Sequence, residues 1–561
     1  MNTPFNRDIT GWNTHNVKNM IRMFGDSSFN RDISGWKVNN VRDMRNMFEN
    51  ANMFNQDIRQ WNVNNVTYMD NMFKNATMFN VPLGQWDLCS NILTNSNTIT
   101  DMFLGATEMS NNYYHQSPNV TASNRLQFYP GSRAIFDEAI QNPSKYGPTL
   151  NHWDVTRVDD MSGLFMGSNL NQDINNWNVK NVTNMVEMFK DSSFNQSLSN
   201  WETYNVKDMS GMFMNSRFNS PIWQNTVSDV YNLSYMFANS PFNQDFVNGW
   251  NVSKVVTMEG MFCGSQFNKY IGWLTNNQNI SVTNMAYMFK DTSFNKAFYQ
   301  SNGGNNQNAY LNKVTSMEEM FSGASEFNQS LYNFMTDGSL VNLKGMFKNA
   351  KKFNQYFDGV NIGTNSAPVW SNGSNDMPGF LNQWQVHNVT NMSEMFMGAE
   401  SFNSQLLYRV ASDNSAFWNT SNVKDISKMY KDAKNFNQHF WREYVADGFV
   451  EPKSYFQTQN VIDMSEMFSG ATLFDGEVFF DTSNVANMSG MFKDSNFDNN
   501  SVIPQTRTDQ DVGGPSTFHT WNTHNVKDMS GMFMNTPFNR DITGWNTHNV
   551  KDMSEMFMNT P

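Results

Sequence analysis

A Phe-Asn pair recurs at Asn30, Asn55, Asn80, Asn195, Asn219 and Asn243, and a row of side-chain amides at constant spacing has two possible chemistries. It can line up as ligand donors, or its stacked amides can satisfy backbone groups that the fold buries. The second is the expectation, because Asp475 and Asp498 replace Asn in late copies, which a hydrogen-bonding role tolerates. Asp follows two residues later at Asp8, Asp32, Asp57, Asp173 and Asp245. Calcium needs roughly six or more converging oxygens, and one Asp per copy, absent beside Pro82 and Leu198, does not supply them. Of the eight histidines, His15, His524 and His548 share one repeated slot, Trp-Asn-Thr-His-Asn-Val, and read as turn residues. No histidine lies in a local motif with a Ser or Cys nucleophile, and Gly303-Gly304 sits in a polar stretch rather than a phosphate loop. Cys89 and Cys263 read as free, buried thiols, and no Cys/His cluster suggests zinc. Catalytic, cofactor and metal residues are therefore expected to be none, and an enzyme is not expected. Asn-x-Ser/Thr triplets at Asn65, Asn119, Asn181, Asn232, Asn251 and Asn388 follow from composition. Several stand where a helix is expected to start, so capping explains them.

These residues are positioned by one repeated stretch, Ile58 to Ala76. In Ile58-x-x-Trp61-x-Val63 the spacing ends at two, which predicts a short strand with Trp61 and Val63 on one face. From Val66 through Met69, Met72, Phe73 and Ala76 the spacing is three, three, one and three, which predicts a short helix. The Met-Phe pair or a variant marks about 18 such units, from Met23-Phe24 to Met556-Phe557. Where uninterrupted the period is 24 or 25 residues, as from Phe165 to Phe189, Phe213 and Phe237. A single unit buries too few side chains to offset the entropy of ordering it; stacked units cover one another. One continuous solenoid over 1–561 is the expected organisation, with insertions at approximately 110–149, 296–310, 355–380, 404–416, 438–459 and 499–520.

Composition narrows the partners. The net charge of −13 and the 16% of charged residues argue against a nucleic-acid groove or an anionic membrane surface. No stretch approaches the roughly 20 apolar residues of a membrane helix. Met1 to Met20 holds no apolar run, so no export signal is read in this chain. Regularly spaced Trp, Phe and Met exclude disorder.

Two surfaces are candidates for binding. The residues between Trp and Val on each strand point outward: Lys37, Asn62, Asp87, Asp154, Asn178, Glu202, Asn251 and Gln385. They form a polar, mildly acidic column that either meets a partner or is simply solvated. The insertions carry aromatics suited to anchoring an interface, namely Tyr113, Tyr114, Tyr129, Tyr310, Trp370, Tyr408 and Trp418.

Ile58-x-x-Trp61-x-Val63-x-x-Val66 resembles the leucine-rich-repeat pattern, with Val66 in the usual Asn position. The longer pattern runs through Trp177-Asn178-Val179-x-x-Val182-x-x-Met185-x-x-Met188-Phe189 and again from Trp384 to Ala399. It resembles the bacterial surface protein repeat of Mycoplasma lipoproteins, BspA-like proteins and some giant-virus proteins. The resemblance implies an extracellular or particle-surface, non-enzymatic protein. The expected fold is a right-handed, leucine-rich-repeat-like α/β solenoid with short parallel strands on one face and short helices on the other. A β-helix-like solenoid is the alternative. The expected role is a structural rod or fibre element; the alternative is an adhesion scaffold binding a surface receptor or glycan through its insertions or exposed sheet face. Residues 1–18 and 534–551 are identical. This leads to the expectation that the array continues, either as a longer repeat chain or by head-to-tail stacking of copies.

Overall fold

The structure is a computed structural model. It describes residues 4–81, 83, 86, 101–112, 133–143, 150–223, 227–245, 250–274, 280–298, 309–331, 334–355, 384–404, 406, 419–446, 449–454, 456–498 and 521–561. Two compact units are present. One comprises Met1–Met188, Ser192–Asn205 and Ser220–Trp223; the other comprises Phe189–Asp191, Val206–Asn219 and Gln224–Pro561.

In the first unit the stretch expected to be a helix, Val66 to Ala76, is a row of turns. Met72 N–H donates to Met69 O at 3.1 Å, Lys74 to Asn71 at 3.1 Å and Ala76 to Phe73 at 3.0 Å, each three residues back. The alternate N–H groups leave the coil: Phe73 donates to Met102 O at 2.8 Å and Asn75 to Leu104 O at 2.7 Å. An α-helix keeps every N–H inside itself, four residues back. Here Asn71 and Asn75 both have φ 56°, in the left-handed region, which no helix tolerates. A row of three-residue turns still places Met69, Met72, Phe73 and Ala76 on the buried side, so the apolar spacing imitates a helix.

The same weave joins the preceding coils. Met20, Arg22, Phe24 and Asp26 donate to Asp43, Arg45, Met47 and Glu49 at 2.7–2.9 Å. Single-residue parallel bridges run Asn19–Asp43–Tyr68. They stand just before the first Met of each copy, not at Trp-x-Val, where the strand was expected. At Trp-x-Val a strand forms in one place among the described residues: β1, Ala309–Tyr310, pairs in parallel with β2, Phe334–Met335.

In the second unit the bridges run Asp208–Asn232–Thr257–Asn284–Ser316–Asn342–Asn391–Asp425–Asp463–Asn487–Asp528–Asp552 without a break. The partners Asn342 and Asn391 flank the insertion at 355–380, and Asn487 and Asp528 flank that at 499–520. The chain leaves and returns in register. Residues 441–454, inside a further insertion, form an antiparallel hairpin of β3, Trp441–Ala446, and β4, Phe449–Ser454.

The core is stacked aromatics over methionine. Ring centroids from Phe213 through Phe237, Phe262, Phe289, Phe321, Phe347, Phe396, Tyr430, Phe468, Phe492 and Phe533 to Phe557 lie 5.4–5.8 Å apart. The Phe of each Phe-Asn pair forms a second column, with cross pairs such as Phe213–Phe218 and Phe321–Phe327 at 4.0 Å. Each buried ring adds about 1.5–3 kcal/mol through lost apolar surface, and each stacked pair about 0.5–1.5 kcal/mol more. In the first unit α1 is Thr107–Asn112 and α2 is Arg133–Gln141. α2 lies within the longest insertion and buries Phe136 at 5.6 Å from Trp177 and 6.3 Å from Trp153. Among the described residues no helix is long and apolar enough to cross a membrane.

Candidate functional site

Three asparagine columns account for most of the side chains that invited a chemical reading. In the Phe-Asn column each amide oxygen accepts the backbone N–H of the next Asn. Asn30 donates to Asn6 Oδ1 at 3.0 Å, Asn55 to Asn30 at 2.9 Å and Asn80 to Asn55 at 2.9 Å. In the second unit the row continues from Asn243 on Asn219 through Asn268, Asn295, Asn328, Asn354, Asn403 and Asn437. Asp475 and Asp498 carry it on, accepting with a carboxylate oxygen instead. The row is the backbone-satisfying ladder, and its oxygens are occupied.

The second column is the Asn before the first Val. Asn65 does not cap a helix, since none is there. Its Nδ2 donates to Asn39 O of the preceding coil at 2.7 Å, and Asn181 and Asn388 do the same to Thr156 and Gly338 at 2.6 and 2.8 Å. The triplets at Asn65, Asn181 and Asn388 therefore have their amide nitrogens engaged. Asn251 instead accepts the N–H of Ser253 in a turn.

The third column follows each Met-Phe by two residues and lies in the left-handed region throughout. Asp26, Asn50, Asn75, Gly105 and Gly167 occupy it in the first unit. Asp191, Asn215, Asn239, Gly264, Asp291, Gly323, Asn349, Gly398, Asp432, Gly470, Asp494, Asn535 and Asn559 occupy it in the second. Only Asn, Asp and Gly appear, the residues that accept this conformation readily. Their order follows hydrogen bonding. Asn50 Nδ2 donates to Asp26 and Asn75 Nδ2 to Asn50, at 2.8 and 2.9 Å. Asn215 donates to Asp191, Asn239 to Asn215, Asn535 to Asp494 and Asn559 to Asn535. An aspartate cannot donate, and within the second unit Asp291, Asp432 and Asp494 each follow a glycine in this order. At those glycines the previous side chain folds inward: a Cβ on Gly264 would lie 2.1 Å from Asn239 Oδ1.

The remaining candidates are turn formers. Asp8, Asp32 and Asp57 accept the N–H two residues on, from Thr10, Ser34 and Arg59. Those N–H groups and the Thr10 and Ser34 hydroxyls hold Asp8 and Asp32 below the usual carboxylate range, and the Arg59 guanidinium does so for Asp57. Asn13, Asn522 and Asn546 accept from His15, His524 and His548, which fixes those histidines in the turn. Along the outward column Lys37, Asn62, Asn178, Glu202 and Asn251 are exposed, with the Trp–Val alternation intact. Asp87 lies outside the described residues, as do Cys89, Tyr113, Tyr114, Tyr129, Trp370, Tyr408 and Trp418. Tyr310 is half-buried in β1, at the outward-column position of its coil rather than in an insertion loop.

One ionisable cluster was not legible in the sequence because it joins four coils of the second unit. Tyr235 OH donates to Glu259 at 2.7 Å, Asn284 donates to the other oxygen of Glu259, and Lys290 pairs with Glu319 and lies over the Tyr287 ring. Burial, then Glu259, pushes the Tyr235 hydroxyl well above its usual range. Burial and the charges of Glu318 and Glu319 push Tyr287 up to about 12. Burial raises the Cys263 thiol. A nucleophile needs a lowered pKa or an adjacent base, and every shift here runs the other way. Among the described residues no group of three or more His, Cys, Asp or Glu is arranged to hold a metal.

The family model described as "Mycoplasma protein of unknown function, DUF285" matches residues 1–116, 134–247, 216–310, 305–368, 369–447 and 442–561. The chain belongs to that repeat family. No curated protein and no solved structure matches it.

Proposed function

We propose that this chain is a non-catalytic structural repeat protein of a cell or particle surface, built as a β-helix-like solenoid of turns and contributing to a rod or fibre. The observation that carries the reading is the use of its polar side chains. Three asparagine columns spend their hydrogen bonds on holding successive coils in register and the Asp residues spend theirs on turns within each coil, which serves extension rather than turnover. Membership of a Mycoplasma repeat family and the net charge of −13 accord with a surface polymer that binds no nucleic acid. The test is antibody labelling, against residues 150–205, of intact cells or particles that carry the protein. Labelling without permeabilisation is expected; labelling only after permeabilisation overturns the surface role.

The adhesion reading has its own support in the insertions, which leave the ladder in register on both sides, as at Asn342–Asn391. A scaffold that holds loops without disturbing its coils is suited to presenting them to a receptor or glycan. Deleting 355–380 then abolishes binding to the host surface while the unfolding midpoint is unchanged.

A further inference from the structure

In the middle of the second unit the sign of charge alternates from coil to coil. Lysine follows the buried ring of the turn row at Lys290, Lys348, Lys431 and Lys493, which lie on every second coil. On the coils between, that place holds Ser322, Met397 and Ser469, and a glutamate stands two residues before the ring, at Glu319, Glu394 and Glu466. On the lysine coils this second place holds Tyr287, Gly345, Lys428 and Gly490, none of them acidic. Each of the first three lysines reaches forward to the next coil. Lys290 Nζ donates to Glu319 at 2.5 Å and Lys348 Nζ to Glu394 at 2.6 Å, and Lys431 pairs with Glu466. After Lys493 the matching place holds Gly531, and there Arg540 pairs with Asp498 instead, at 2.9 Å. These four pairs cross the insertions at 296–310, 355–380, 438–459 and 499–520. Their side chains are 15–34% exposed. Where coils follow without an insertion the lysines are more open, 64% in Lys254–Asp229 and 61% in Lys352–Glu326. The insertion at 404–416 is crossed by a looser pair, Lys434–Glu400 at 3.5 Å.

We propose that these ion pairs select the coil that closes each insertion, so that the array keeps its order where the chain makes a long excursion. The backbone ladder does not discriminate, because the same four N–H groups bond the next coil at every step from Met209 to Asn535. The buried Met and Phe repeat as well, and a uniform pattern specifies register weakly. Loop-closure entropy changes slowly with length, so connectivity favours the adjacent coil only slightly after an insertion. The charges discriminate sharply. Passing over one coil would set Lys290, Lys348 and Lys431 against Gly345, Lys428 and Gly490, two places without an acid and one with a second lysine. The partly buried setting strengthens the choice, since such pairs are screened less than open ones. This ordering role is independent of where the protein is displayed.

Amide hydrogen exchange of the 561-residue chain tests it, in the native state and during refolding from denaturant. The N–H groups of Tyr287, Phe289 and Asp291 cross the insertion at 296–310 to Glu318, Met320 and Ser322. Those of Met464, Glu466, Phe468 and Gly470 bond Asn487, Ser489, Met491 and Lys493 across a plain step that no ion pair crosses among the described residues, and serve as the control. Lys290→Glu sets like charges together and is expected to speed exchange of the first group about fivefold, leaving the control unchanged. Lys290→Met, which keeps the aliphatic stem, should give a smaller rise of the same sign. The inverted pair, Lys290→Glu with Glu319→Lys, should restore wild-type exchange. During refolding, about 1 M salt screens the pairs and should lengthen the lag of the first group behind the control. Circular dichroism checks that each variant is folded. Exchange that neither Lys290→Glu nor Lys290→Met alters overturns the proposal, as does an inverted pair that does not restore it. A refolding lag equal at low and high salt also overturns it, because the pairs would then hold coils without choosing them.

Discussion

Gly264 shows what a single left-handed position demands. Its φ is +65°, and an added Cβ would stand 2.1 Å from Asn239 Oδ1. Gly264→Ala is expected to cost about 1–2 kcal/mol from the backbone alone, with the contact adding to it. Gly35→Ala, where a Cβ meets nothing within 4 Å, should be neutral or stabilising by up to about 1 kcal/mol. Denaturant unfolding of the two variants separates these outcomes. Asp229 offers a test by pH. Hydrogen bonds from Lys207 and Lys254, at 2.5 and 2.6 Å, lower its carboxyl to about 2 from the usual 3.8. The folded pKa lies below the unfolded one, so this pair stabilises fully above about pH 4 and the contribution fades as pH falls through 2. The difference in melting temperature between wild type and Asp229→Asn should be constant above pH 4 and shrink toward zero near pH 2. An unchanged difference across that window would show that the two lysines do not hold Asp229 in solution.

At the scale of the element, the amide ladder and the buried face of the turn row can be tested separately. Asn328 Oδ1 accepts both the Asn354 N–H and Gln355 Nε2. Asn328→Ala removes the acceptor of an exposed backbone donor and of the half-buried Gln355 amide and is expected to cost about 0.5–1.5 kcal/mol. Asn328→Asp keeps the acceptor and should be close to neutral, as Asp475 and Asp498 are in their own coils. Equal costs in chemical denaturation would place the effect in packing rather than hydrogen bonding. Met72 is fully buried and Lys74 is half-exposed on the same row of turns. Met72→Asp should therefore cost more than about 3 kcal/mol through an unpaired buried charge, and Lys74→Asp very little.

Across the molecule, the described residues include just two α-helices, Thr107–Asn112 and Arg133–Gln141. A leucine-rich-repeat array with a short helix in each copy would be rich in helix. Far-UV circular dichroism of the full chain is expected to lack a strong helical signal, and a strongly helical spectrum would return the repeat to the leucine-rich form. Stacking also spreads stability along the array. Within the second unit each coil from Met209 to Asn535 lends four turn-row N–H groups to the next, so none of these coils is complete alone.

By itself the sequence determined the period, the buried side chains and the purpose of the Phe-Asn row. Burial of Trp61, Val63, Met69, Met72 and Phe73 follows from apolar spacing, and spacing depends only on residue type. The ladder followed from Asn and Asp sharing one slot, because both offer the same acceptor oxygen. The tertiary structure decided the backbone. A spacing of three, three, one and three is common to a helix and to a row of turns, and what separates them is where the N–H groups go. That destination is the next coil, from 23 residues away, as from Met20 to Asp43, to 48, as from Leu343 to Asn391, beyond the reach of any local pattern. One local sign was present: the Asn, Asp or Gly two places after each Met-Phe, at Asn75, Asp191 and Gly264, residues poor in helix interiors and tolerant of positive φ. The Tyr235–Glu259–Lys290 cluster had no such sign, because side chains from separate coils meet only once the coils are stacked.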